Sequence, residues 1–338
     1  MSSLAAEPDA TGTTTDRQAT IGPAAACILV NPRSFRLSEG DRLDQVCRTA
    51  QAAGTSVNVV HDPDEIRSAL ADFGSELPGR LILIGGDGTV QAAASALIEA
   101  PLPKLPDLLV LGGGRTNFTA RDLGTHRSLV ALMEQALHRP QALATAHRRI
   151  LRLEQPGTGR TLHGFFVAGA LVDHVIRDCH SYRKRHRGWL RTGHPSSAWR
   201  VLQLGLLGAM GRSRFRPRAM TIDAGALGTL DQPARILIAT SLQHQRGWID
   251  PYAVRGSGPV RLTAIGTRAA RFWPTLPGLL RGRLAPALTP ETGYLSGRTD
   301  RVSVRGLDAV CVDGQEYDLD PGLEVTLRPG PEFHFLTP

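Results

Sequence analysis

The stretch LILIGGDGTVQ, Leu81–Gln91, sets three glycines and one aspartate at the end of an apolar run. Gly85 and Gly86 are expected to let the backbone leave a strand through torsions that other residues avoid, and to let a second molecule come close. A helix expected from Val90 would turn its free N–H groups and positive end toward an anion at this loop. Asp87 is the odd member, because a carboxylate beside a phosphate repels it unless a cation stands between them. Mg²⁺ held by one or two carboxylates and by substrate phosphates is the usual solution. The local chemistry is that of a nucleotide–Mg²⁺ site; the plainer alternative is a tight turn with an aspartate cap.

Other reactive residues give weaker signals. His163, His174, His180, His186 and His194 show no HExxH or similar spacing, so no zinc site is expected from the sequence. Cys27, Cys47, Cys179 and Cys311 show no CxxC and are expected to be free, buried thiols in a reducing compartment. His61 and Asp62 close the second expected strand, where a place at the ligand-binding edge and a plain turn role suit them equally. Ser241–Pro251 is expected to be a packed loop.

Charge is distributed unevenly. The net charge is +8, and ten Arg or Lys with no Asp or Glu fall between Arg183 and Arg218. This predicts an acidic partner. Tyr182, Trp189 and Trp199 sit in or beside that stretch, and rings among arginines suit the headgroup layer of an anionic membrane. No nucleic-acid motif accompanies the charge, so a membrane surface is the expected partner and nucleic acid is not. No apolar run reaches the ~18 residues that span a bilayer. Residues 1–24 have the composition of a disordered leader, not of a secretory signal.

The elements that position the glycine loop follow from pattern. Strand-like runs at Ala25–Val30, TSVNVVHD, GRLILIG and DLLVLGG alternate with helical runs as far as about residue 140. This is the signature of a parallel sheet covered on both faces, with ligands bound at the strands' C-terminal edge. After Arg148 the runs become short and several alternate, as in RRILRLEQ, RTLHGFFVAGALV, ARILIATSL, PVRLTAIGT and DAVCVDGQEYDL. That predicts an antiparallel sheet or sandwich. One helical insert, SSAWRVLQLGLLGAMG, interrupts it, with Ser196 or Ser197 as cap.

Four segments in order resemble the diacylglycerol kinase catalytic-domain family, which includes sphingosine kinases and bacterial lipid kinases and shares a motif with NAD kinases. They are VNPRS (Val30–Ser34), GGDGT (Gly85–Thr89), GGRTNFTARDLG (Gly113–Gly124) and VDGQ (Val312–Gln315). The resemblance implies an α/β nucleotide-binding domain over 25–146, completed by about 325–338. It also implies a β-rich lipid-binding domain over 147–324, an antiparallel β-sandwich carrying the basic helical insert 183–218. It implies ATP and Mg²⁺ as cofactors. Asn31, Gly85, Gly86, Asp87, Gly88, Thr89, Gly114, Arg115 and Thr116 would contact ATP, and Asp87 would organise Mg²⁺. Asp313 would lie beside the acceptor hydroxyl, where a carboxylate takes its proton.

The chain departs from the family pattern in one direction, toward fewer carboxylates. The last residue of the family's DGE is Gln315, and a neutral amide neither takes a proton at pH 7 nor holds a cation strongly. Glu316 is the substitute, although a one-residue shift along a strand points it to the opposite face unless a bulge intervenes. Arg115 stands for a threonine and would grip phosphate instead. Phe118 and Ala92 replace acids, and Gly256–Pro259 lacks the family's accessory-metal carboxylates. The expected activity is phosphoryl transfer from ATP to a lipid hydroxyl at the cytoplasmic face of a membrane. The alternatives are a lipid or nucleotide sensor with little activity, and an NAD kinase. A homodimer is compatible with the sequence.

Overall fold

The computed structural model describes residues 26–37, 41–73, 78–126, 128–185, 217–243 and 250–338. Four parallel strands open the fold: β1 (Ala26–Val30), β2 (Val57–Val59), β3 (Arg80–Gly85) and β4 (Asp107–Gly112), in the order β2-β1-β3-β4. β1, β3 and β4 are buried along nearly their whole lengths, because helices cover both faces. On one face, α2 (Pro63–Phe73) and α3 (Asp87–Glu99) pack on Leu29, Leu83 and Val110. On the other, α1 (Arg42–Ala52) and α5 (Leu129–His138) pack on Ile28, Ile82, Ile84 and Leu109. A short α4 (Phe118–Asp122) follows the loop after β4. α2 starts at its proline, with the N–H groups of Asp64 and Glu65 donating to Asp62 Oδ1, which is the turn role, one of the two open to Asp62.

The later strands are β5 (Ala144–Gln155), β6 (Arg160–Gly164), β7 (Phe166–Gly169), β8 (Thr221–Asp223), β9 (Thr229–Asp231), β10 (Ala234–Thr240) and β11 (Val260–Gly266). β12 (Tyr294–Thr299), β13 (Val302–Arg305), β14 (Ala309–Val312), β15 (Gln315–Asp318) and β16 (Val325–Thr337) complete the set. Six of them make a wholly antiparallel sheet, β12-β11-β10-β7-β14-β15. The rest extend the first sheet. β16 meets β4 in parallel at Phe335 opposite Leu108, runs antiparallel to β5, and pairs through its first residues with β13. The α/β sheet therefore continues into the sandwich as one ten-stranded sheet. Leu153, Ile222, Val304 and Leu327 of this sheet pack against Val167, Leu237, Leu262 and Val310 of the other to form the second core. The fold is the α/β unit with a second antiparallel β-sandwich that the sequence pattern predicts.

Three local expectations change. α3 begins at Asp87 and not at Val90. The run ending in Ala170–Val172 does not stay extended: Ala170 takes a left-handed φ of 56° and starts α6 (Ala170–Arg185). Val172 and Ile176, four apart, bury against Ala168, Ile238 and Cys311. α7 (Phe272–Leu279) is likewise unforeseen. All four cysteines are free, but Cys47 is exposed. No helix among the described residues is long and apolar enough to cross a membrane. Most of the basic stretch, residues 186–216 with the expected helix after Ser196, lies outside the described residues, as do residues 1–25 and 244–249.

One buried ion pair ties the two halves of the large sheet together. Arg148 Nε on β5 donates to Asp122 Oδ2 at the end of α4 at 2.7 Å, with side chains 8% and 0% exposed. Asp122→Ala leaves that guanidinium buried and unmatched, and should lower the unfolding free energy by about 3–5 kcal/mol. Arg67→Ala, which breaks exposed pairs to Asp64 and Glu99, should cost less than about 1 kcal/mol. Urea denaturation of the two variants distinguishes these outcomes.

Candidate active site

Three loops converge at the C-terminal edge of the parallel sheet. Asn31, just past β1, donates through Nδ2 to Thr89 Oγ1 at 3.1 Å, and its own N–H is bonded to Ile84 O. The loop after β4 lies directly on the loop after β3. A methyl group on Gly114 would sit 2.7 Å from Gly86 Cα, and one on Gly86 3.3 Å from Gly114 Cα. Torsional freedom is not what selects the first pair of glycines. Gly86 has φ −88° and ψ 177°, open to any residue. Gly85 is fixed by space, since a methyl group there would meet Thr89 at 2.6 Å. Two strands of bare backbone thus form a floor beside the first turn of α3, whose N–H groups lack intrahelical partners.

Asp87 is turned into this floor. Its Oδ1 accepts the Thr119 N–H at 3.1 Å and its Oδ2 accepts the Thr116 hydroxyl at 3.0 Å, so the carboxylate caps α4. Burial raises its pKa, and the N–H groups of Thr119 and Phe118 and the Thr116 hydroxyl only partly offset that. Asn117, at a left-handed φ of 49°, donates through Nδ2 to Gly114 O at 2.7 Å. Its Oδ1 is buried with no hydrogen-bond partner among the described residues. Arg115 stacks its guanidinium 4.3 Å above the Phe35 ring, which places it beside the first loop.

The hairpin between β14 and β15 closes the site from the second sheet. Asp313 (φ 46°) and Gly314 (φ 88°) make its two-residue turn. The Asp313 carboxylate accepts the N–H groups of Phe165 at 2.7 Å and Phe166 at 2.9 Å. Burial pushes its pKa well above the ordinary carboxyl value, against those two bonds, and the neighbouring Asp87 charge pushes it further. The effect of the Asp87 charge on Asp313 marks two buried acids close enough to interact across the cleft. The Asp87 carboxylate, in the first turn of α3 beside the glycine floor, would fit one carboxylate ligand of Mg²⁺, with substrate phosphates completing the shell.

Gln315 and not Glu316 reaches the glycine loop after β3: a methyl group on Gly88 would meet Gln315 Nε2 at 2.9 Å. The register Cys311 opposite Glu316 and Val312 opposite Gln315 is regular, with no bulge. Glu316 accordingly faces α6, where its Oε1 lies 2.6 Å from His180 Nδ1. The catalytic role expected of Glu316 is not met by this geometry, because strand alternation sends its side chain to the far face. Phe118, in place of an acid, stacks on Phe166 at 5.2 Å and packs the seam between α4 and β7. Asn117, Gln91 and Tyr317 are additions. Gln91 Nε2 donates to His163 O and to the Tyr317 hydroxyl, which ties α3 to the hairpin. Of these, only Asn117 carries a signal in sequence, as a residue that tolerates a left-handed turn between a glycine loop and a helix.

Residues 25–146 match the family model for the diacylglycerol kinase catalytic domain; three of the four resembling segments, VNPRS, GGDGT and GGRTNFTARDLG, lie within that match, and VDGQ lies beyond it. Two crystal structures from Bacillus anthracis str. Sterne share the fold over 93% of this chain and 97% of their own. One is a diacylglycerol kinase, at 13% identity and a TM-score of 0.59. The other, provisionally assigned as one, is at 13% identity and a TM-score of 0.64. No curated protein matches the chain.

Gly114→Ala forces a methyl group onto rigid backbone and should cost about 1–3 kcal/mol. Gly88→Ala meets only the tip of a flexible amide and should cost less; paired chemical denaturation curves test the order. A second expectation concerns α6. Asp173 is buried, its Oδ1 is unpartnered among the described residues, and burial raises its pKa to about 6 despite Arg177. A raised folded value means the stability it contributes is full below pH ~4 and lost as pH rises toward 6. Asp173→Asn should therefore gain on the parent by on the order of 2 kcal/mol between pH 4 and 7, read as thermal midpoints across that range.

Proposed function

We propose that this chain is an ATP-dependent lipid kinase that moves the γ-phosphoryl group of ATP to the hydroxyl of a diacylglycerol- or sphingosine-like lipid at the cytoplasmic face of an anionic membrane. The observation that carries the reading is the side-chain-free contact of Gly86 with Gly114, joined through Gly88 and Gln315 to the aspartate turn at Asp313. A phosphate chain needs such a backbone-lined floor, and the acceptor needs a carboxylate across from it. ATP, when bound with Mg²⁺, supplies the phosphoryl group and the charge neutralisation.

The chain's own residues position and deprotonate. Asn31 and Thr89 fix the first loop against the second. Asp87 would hold the cation while bracing α4. Asp313 takes the proton of the acceptor hydroxyl, a role that matches the carboxylate of the resembling family's turn at this place. Gln315 orients the acceptor by hydrogen bonding. The arginines between Arg183 and Arg218 would hold the protein on anionic headgroups. The second reading, nucleotide or lipid binding without transfer, is favoured by the Gln315 amide beside Gly88 and by the withdrawal of Glu316 onto His180.

Incubation with γ-labelled ATP, Mg²⁺ and a lipid panel should label a lipid. Asp87→Ala should cut that transfer by at least about 100-fold, and Gln315→Glu should raise it by roughly 10- to 100-fold by adding a base. Binding of ATP with no transfer in either the parent or Gln315→Glu would establish the second reading. Transfer that survives Asp87→Ala would remove Asp87 from the site.

A further inference from the structure

The long β5–β16 ladder brings together side chains distant in sequence. His147 pairs directly with His334, and Glu332 lies two residues before His334 on the same face. The imidazole rings meet edge to face with centroids 4.5 Å apart. His147 Nδ1 is 3.2 Å from Glu332 Oε1, and His334 Nδ1 is 3.6 Å from Asp107 Oδ1 at the start of β4. One ligand atom from each of His147, Glu332 and His334 falls within 4.8 Å of the others. The alternate residues Arg148 and Phe333 point the other way into the core, so the backbone holding these donors is fixed while their side chains reach solvent.

We propose that His147, Glu332 and His334 bind a divalent transition ion of the zinc type, with Asp107 orienting His334. Two imidazoles and one carboxylate are a borderline nitrogen–oxygen donor set, which suits zinc and disfavours magnesium or calcium, whose shells are all oxygen. Opposed residues on neighbouring strands have Cβ atoms about 5 Å apart, so small rotations of exposed side chains bring three donors to one ion, and water takes the fourth position. Asp107 beside the second histidine nitrogen is the usual outer support for a metal-bound imidazole. Arg149 opposes the ion, since its Nε lies 3.7 Å from Glu332 Oε2, and its half-exposed side chain must swing into solvent on binding. The site is separate from the nucleotide loops. Asp107 begins β4 and Gly112 ends it, a span of about 17 Å at the rise of a strand. The ion fastens β16 to β5 and, through Asp107, to β4.

The test is a zinc titration of the chelator-treated full chain against a chromophoric zinc indicator, with Co²⁺ absorption as a second readout. One equivalent should bind, with a rise in thermal midpoint. His147→Gln and His334→Gln should each weaken binding by at least about 10-fold, and Asp107→Asn by about 10-fold. His180→Gln, on α6, should leave it unchanged. The replaced side chains are surface-exposed, and matching circular dichroism and metal-free midpoints establish that the variants fold. Absence of saturable binding, equal binding by the His147→Gln/His334→Gln double variant, or loss in His180→Gln overturns the proposal.

Discussion

The loops after β3 and β4 can meet only as bare backbone, because no side chain fits between Gly86 and Gly114. That single contact sets the geometry around it. With the loops pressed together, the start of α4 comes within reach of Asp87, and the carboxylate satisfies N–H groups that a short helix cannot bond internally. Asn117 is then forced into a left-handed bend to fit the corner. The side of the cleft facing the second sheet follows from it too, since Gly88 leaves just the room that the Gln315 amide fills.

A tension accompanies this construction. Asp87 and Asp313 are both buried, and both titrate higher than free carboxyls because their charged forms lose water. Such an arrangement costs stability at neutral pH and persists only where the surrounding bonds over-determine it. Those bonds are visible: two main-chain donors on Asp313, a main-chain donor and a hydroxyl on Asp87. The replacement of nearby acids by Phe118 and Gln315 lowers the electrostatic strain that two buried carboxylates already impose. The chain has fewer negative charges at this edge than the family pattern supplies, and Asp87 and Asp313, which remain, are buried.

Much of this was legible in the residues. Gly85–Thr89 after an apolar run announced a glycine loop, and alternation of strands and helices announced the sheet edge that bears it. Strand parity showed that Gln315 and Glu316 face opposite ways. Other parts had no local signature. Ala170 gives no hint that its backbone turns left-handed and converts a strand into α6. The grip of Asp87 on α4 depends on a helix five residues long, below the length at which periodicity speaks. His147 and His334 carry no spacing signal, because the ladder between β5 and β16, and not their distance in sequence, makes them neighbours. The extent of the large sheet was hidden for the same reason: antiparallel patterning in the second half does not say which sheet a strand joins.

The strand β16 has a temporal consequence. It lies downstream of every strand it touches, yet β4, β5 and β13 all depend on it for hydrogen bonds. During synthesis the parallel layer would emerge from the ribosome with the flank of β4 uncovered, an open template for wrong partners. The large sheet cannot close until that last ribbon arrives, so its α/β and sandwich halves should join in one late step, with the nascent chain exposed to mispairing in the interval.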